Sequence, residues 1–115
     1  MPENDTNQTN RSAYNDIEIL ANFSDTQELA RYRKYRINRY QPVVGLIEKW
    51  SQGSSGLNVV EVGSGSSALL YGLLEAGLLS NGTGIELSAS RYQFAEAWKA
   101  DLGAAGIRNI NQDFT

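Results

Sequence analysis

Three carboxylates recur at comparable places in the second half of the chain: Glu61 in VVEVG, Glu86 in GIEL and Asp113 in NQDF. The first stands just ahead of Gly63-Ser64-Gly65-Ser66-Ser67-Ala68, which returns at once to leucines. A glycine-rich corner between an apolar run and a helix presents backbone N–H groups and the positive helix end to a ligand. Gly63 and Gly65 also lack the β-carbons that would hold such a ligand away. Carboxylates beside that corner favour a cation or hydroxyl groups over another anion. The chain has no histidine and no cysteine. That removes the commonest general base, any disulfide framework and any cysteine zinc site. No metal site is expected, and catalysis would rest on carboxylates, tyrosines, amines or a bound cofactor.

The elements that must position these residues alternate after Gly56. LNVVEVG reads as a strand, SSALLYGLLEAGL as an amphipathic to fully buried helix, and NGTGIELS as a turn followed by a short strand. ASRYQFAEAWKADLGAAG reads as a helix with Phe94, Ala97 or Trp98, and Leu102 inward and glycines at its end. IRNINQDF is a third strand, with Ile107 and Ile110 as its apolar members. Strands joined by helices of this length imply a parallel sheet with right-handed crossovers. The expected fold class is therefore α/β and Rossmann-like: a partial doubly wound parallel sheet, β-α-β-α-β over 57–115, preceded by N-terminal helices. All three carboxylates then fall at strand tips on the crevice side, where open parallel sheets bind ligands.

Two ligand classes fit the corner. G-x-G-x-x-A matches the dinucleotide fingerprint, and Glu86, some 25 residues beyond Glu61, suits a ribose. On that reading the chain is an NAD(P)- or FAD-binding domain of an oxidoreductase. Read with Glu61, however, the pattern is E-x-G-x-G, which resembles the first motif of class I S-adenosylmethionine-dependent methyltransferases. A carboxylate at that strand end repels a pyrophosphate and favours an ammonium or sulfonium, so Glu61 tips the balance. The resemblance covers Leu57 to Phe114. It implies S-adenosyl-L-methionine as cofactor, with Gly63, Ser64 and Gly65 along its methionine part and Glu61 near the ammonium. It further implies Glu86 on the ribose hydroxyls, Leu87 against the adenine, Asp113 at the adenine amino group and Phe114 beside the ring. Many members carry a third glycine where this chain has Ser67. No catalytic residue is assigned, because the family's acceptor residues usually follow a fourth strand.

Residues 1–25 are polar and sparse in large apolar groups, as in segments that stay unfolded. Within them Ile17–Ala21 is the apolar patch able to dock. Ser24 or Asp25 is the expected N-cap, closed by Glu28. Residues 26–52 form a helical cap, Thr26–Tyr40 and then a second helix opened by Pro42 and running to Trp50. Leu29, Tyr32, Tyr40, Val43, Ile47 and Trp50 are expected on its inner face. RYRKYRINRY holds five basic residues, spread around the helix rather than in one stripe, and reads as a solvated face. Arg36 lies on the inner face and, with Tyr35, is a candidate partner for a cofactor carboxylate or an anionic acceptor.

The net charge of −3 disfavours a nucleic-acid binder. No membrane span or secretory leader is visible, and the reading is a cytoplasmic protein with a small-molecule substrate. The first strand is left with an unpaired edge. Its covering is expected from a missing C-terminal half of a longer chain or from another chain; a non-catalytic fragment is the remaining alternative.

Overall fold

In the computed structural model, which describes residues 19–113, the run Leu79–Glu86 is one continuous strand. The sequence reading placed a turn at Asn81–Gly84, and the two glycines responsible serve close packing instead. A β-carbon built on Gly82 would lie 2.9 Å from Leu79 Cδ2 and 3.0 Å from Ile107 Cδ1. One built on Gly84 would lie 2.6 Å from Ser64 Oγ and 2.8 Å from Ser67 Oγ. Glycine within a strand often marks such an approach.

The order of elements is a single 3-10 turn Leu20–Asn22, helices α1 (Thr26–Arg39) and α2 (Gln41–Trp50), then β1 (Leu57–Val62), α3 (Ala68–Glu75), β2 (Leu79–Glu86), α4 (Ala89–Leu102) and β3 (Ile107–Asn111). The three strands form one parallel sheet in the order β1-β2-β3, as the alternation predicts. Register pairs Glu61 with Gly84 and Gly84 in turn with Asn109. Serial crossovers of this kind place strand C-termini, and hence the βα corners, at one end of the sheet.

The core is aromatic where the helices meet. Leu70, Tyr71 and Leu73 of α3, Phe94, Ala95 and Trp98 of α4, and Ile107 of β3 are buried. Tyr71 and Trp98 pack at a tilt with ring centroids 4.7 Å apart, and Phe94 meets Trp98 edge-on at 6.2 Å. The N-terminal helices pack onto this cluster through Phe23 and Tyr32, each 5.8 Å from the Phe94 ring. Capping is reciprocal: Asp25 accepts from the Glu28 amide at 2.6 Å while Glu28 accepts from the Ser24 amide at 3.0 Å and from its hydroxyl.

Three inner positions differ from the sequence reading. Val44 is buried and Val43 exposed. At the α1–α2 junction Tyr40 N–H donates to the Ile37 carbonyl, an i−3 bond that tightens the turn and advances the helical phase. Trp50 is 80% exposed, in the last turn of α2. Leu102 is exposed as well, at the last residue of α4, and Ala95 takes an inner place.

Along β1, burial alternates: Leu57, Val59 and Glu61 are partly covered, whereas Val60 and Val62 remain 66% and 59% exposed. Among the described residues β1 pairs with β2 alone and nothing covers the Val60–Val62 side, in line with the edge foreseen from the sequence.

Candidate functional site

Beyond Val62 the chain folds back over the tip of β2. The amides of Gly63 and Ser64 both donate to the Ile85 carbonyl, at 2.8 and 3.1 Å. Gly63 and Gly65 have φ of 73° and 59°, and Ser67, which opens α3, has φ 66° and ψ 25°. Three left-handed residues within five make the corner tight, and glycine accounts for two of them.

Glu86, at the tip of β2, is turned into this corner and is only 3% exposed. Its Oε1 accepts from the Gly65 amide at 2.7 Å and its Oε2 from the Ser88 amide at 2.9 Å. Glu86 thus ties the glycine corner to the start of α4, where Ser88 is the N-cap and accepts from the Arg91 amide. Glu61 is half-buried beside it, and its Oε1 is shielded from solvent with no hydrogen-bond partner among the described residues. Burial, and secondarily the charge of Glu86, push the Glu61 carboxyl up to about 7. Ser66 Oγ is likewise shielded and unpartnered among the described residues.

The tips of β2 and β3 are fastened together. Asn111 Nδ2 donates to the carbonyls of Glu86 and Leu87, at 2.9 and 3.1 Å, and the Gln112 amide donates to Glu86 O at 3.1 Å. Leu87 is exposed, directly after β2, and Asp113 is exposed two residues past β3. Phe114 lies outside the described residues. The structure therefore brings Glu61, Glu86, Gly63, Ser64 and Gly65 together, with Leu87 and Asp113 on the adjoining tips.

Arg36 stacks over the Tyr40 ring at 5.8 Å, and Tyr35 is exposed and accepts from Arg39 Nη1. The more deeply engaged cation is Arg33, which the sequence reading did not single out. It donates to Asp101 at 2.8 Å and lies over the rings of Phe94 and Trp98 at 5.6 and 5.5 Å. Asn109 and Asn111 were missed too. The available signal was period two: Ile107, Asn109 and Asn111 share one face of β3, so an asparagine two residues from the buried Ile107 points into the core side.

No family model matches the chain, and no curated protein matches it. Solved structures do. A SAM-dependent methyltransferase from Aquifex aeolicus matches 90% of the chain and 47% of its own length, at 15% identity and TM-score 0.51. YjhP from E. coli matches 64% of the chain and 30% of its own length, at 22% identity and TM-score 0.53. Coclaurine N-methyltransferase, crystallised with N-methylheliamine and S-adenosylhomocysteine, matches 63% of the chain and 21% of its own length, at 19% identity and TM-score 0.51. The fold is thus the Rossmann-like α/β arrangement of class I S-adenosylmethionine-dependent methyltransferases, as the motif order led one to expect. The chain spans less than half the length of these three proteins. No helix among the described residues is long and apolar enough to cross a membrane.

Proposed function

We propose that this chain is the cofactor-binding half of an S-adenosylmethionine-dependent methyltransferase that acts on a small-molecule acceptor. The observation that carries the reading is Glu61: a half-buried carboxylate beside a glycine corner, with one oxygen unpartnered among the described residues. Such a group already resists ionising next to Glu86, so an incoming pyrophosphate would add a further repulsion. A cationic ligand would relieve it. This separates the methyltransferase reading from the dinucleotide reading, which uses the same glycines and the same Glu86.

The residues present fit the cofactor. Glu61 Oε1 meets the ammonium, and Ser66 Oγ is a second polar atom in the corner that a ligand satisfies. Gly63, Ser64 and Gly65 line the methionine part. Glu86, held at the tip of β2 by the Gly65 and Ser88 amides, takes the ribose hydroxyls. Leu87 packs on the adenine and Asp113 accepts from its amino group. When bound, the cofactor supplies a sulfonium methyl for in-line displacement by the acceptor's nucleophile. The chain's own part is alignment and exclusion of water. The cytoplasm is the expected compartment. The open edge of β1 is covered by further strands of a longer chain or by a partner.

Calorimetry on the whole chain, with S-adenosylhomocysteine and NAD titrated in parallel, tests this. Binding of S-adenosylhomocysteine without NAD is the expected result. NAD binding alone, or neither ligand bound by a chain with a cooperative melt, overturns it.

A further inference from the structure

Ser67 is fully buried and holds a left-handed backbone, φ 66°, where a β-carbon is crowded against the following carbonyl. Asparagine, aspartate and glycine are the residues that visit this region readily; serine needs a reason. Its hydroxyl donates to Asn109 Oδ1 at 2.5 Å. Asn109 in turn has its amide fixed in orientation, since Nδ2 donates to Glu96 Oε1 at 3.0 Å and to Tyr71 Oη at 3.2 Å. With Glu96 Oε1 and Tyr71 Oη both accepting, the nitrogen faces that side and the oxygen faces Ser67. Tyr71 Oη gives its own proton to the Ala95 carbonyl at 2.6 Å and so accepts from Asn109.

The strand between them is cut away to admit this contact. Gly84 is the register partner of Asn109, and a β-carbon there would come within 2.8 Å of Ser67 Oγ. A left-handed serine, an oriented amide on the core side of β3 and a bare Cα beneath both are three separate features that meet at one hydroxyl.

We infer that Asn109 is a positioning residue for the glycine-rich corner: it holds Ser67 in the left-handed conformation that the corner needs, with Gly84 providing the space. The Ser67 amide closes the turn onto the Ser64 carbonyl at 2.9 Å, and the Gly65 amide is directed at Glu86. Released from Asn109, Ser67 relaxes toward negative φ, the Ser66–Ser67 peptide rotates, and these amides lose their aim. Its effect on S-adenosylmethionine binding rests on the function proposed above; its effect on the corner does not.

Two substitutions at one position separate the backbone requirement from the hydroxyl. S67A keeps the β-carbon and loses the anchor, whereas S67G loses the anchor and the need for it. S-adenosylhomocysteine affinity is expected to fall roughly tenfold in S67A and in N109A, the ratio set by a left-handed non-glycine residue. It is expected to stay within about threefold of wild type in S67G and in S67G/N109A. Amide hydrogen exchange at Gly65 and Ser66, measured without ligand, should quicken in S67A and N109A only. A general packing role for Asn109 would give the same loss in both backgrounds, and that result overturns the proposal. So does an S67A chain indistinguishable from wild type. Should the wild type bind no S-adenosylhomocysteine, the cofactor reading falls while the exchange pattern alone decides this one. If N109A does not fold, the contrast of S67A with S67G, both of which leave Asn109 in place, decides it.

Discussion

Replacing Glu61 by Gln removes the proton on which the site's electrostatics turn. A carboxyl that titrates near 7 instead of 4.5 costs on the order of 3 kcal/mol to ionise in the folded chain. Part of the group meets water, so about 2 kcal/mol is the working figure. Between pH 4.5 and 7 the native chain retains a proton that the unfolded chain has released, so stability falls as pH rises through that window. Below it the loss is absent, and above it complete. Glutamine has the shape of the protonated acid and nothing to release. E61Q and wild type should therefore unfold at similar urea concentrations near pH 4.5. By pH 8 the variant should be the more stable by about 2 kcal/mol, or about 10 °C in Tm for a chain of this size. Urea and thermal melts from pH 4.5 to 8 at constant ionic strength give the comparison. Parallel profiles for the two proteins would refute the reasoning, because they would mean that Glu61 ionises freely. Ligand binding should show the opposite trend: wild-type affinity for S-adenosylhomocysteine rises between pH 5.5 and 7.5, and that of E61Q stays flat and weaker.

Three further substitutions test the packing beneath the site. G84A drives a β-carbon against Ser64 and Ser67 and should lower stability by about 1–3 kcal/mol, read from the urea midpoint; an unchanged midpoint would mean that the corner does not rest on β2. Arg33 and Asp101 form one ion pair, but the side chains are 13% and 63% exposed. D101A should cost no more than about 1 kcal/mol, whereas R33A, which also uncovers Phe94 and Trp98, should cost about 1–3 kcal/mol. Equal losses in thermal melts would contradict the assignment of its role to stacking.

The parts of the molecule legible in the sequence are those that rest on local chemistry. VVEVG followed by glycines and then leucines can hardly be other than a strand, a tight corner and a helix, and the spacing of the two following strands dictates a parallel sheet. Glu61, Glu86 and the glycines meet because parallel strands bring their tips to one end. What escaped notice depends on contacts between segments distant in sequence. Gly82 and Gly84 resemble a turn until Leu70, Ile107 and the serines of the corner are seen to occupy the space they leave. Val43 and Val44 differ by one helical position, and a single i−3 hydrogen bond at Tyr40 selects the second. Ser67 shows in the sequence only as a departure from the third glycine of the resembling family. Only the partner across the sheet, Asn109, explains how a serine keeps that conformation. Arg33 could not be told from its basic neighbours without the two rings it covers.

The bare rim of β1 links architecture to ligand retention. Its backbone groups can accept one more parallel neighbour, and the tip of that neighbour would arrive opposite Glu61 and Gly63. Whatever completes the sheet therefore also raises one wall of the crevice. On the function proposed above, completing the sheet and gripping the cofactor would be a single event, with the exposed Val60 and Val62 as the apolar seam along which it closes.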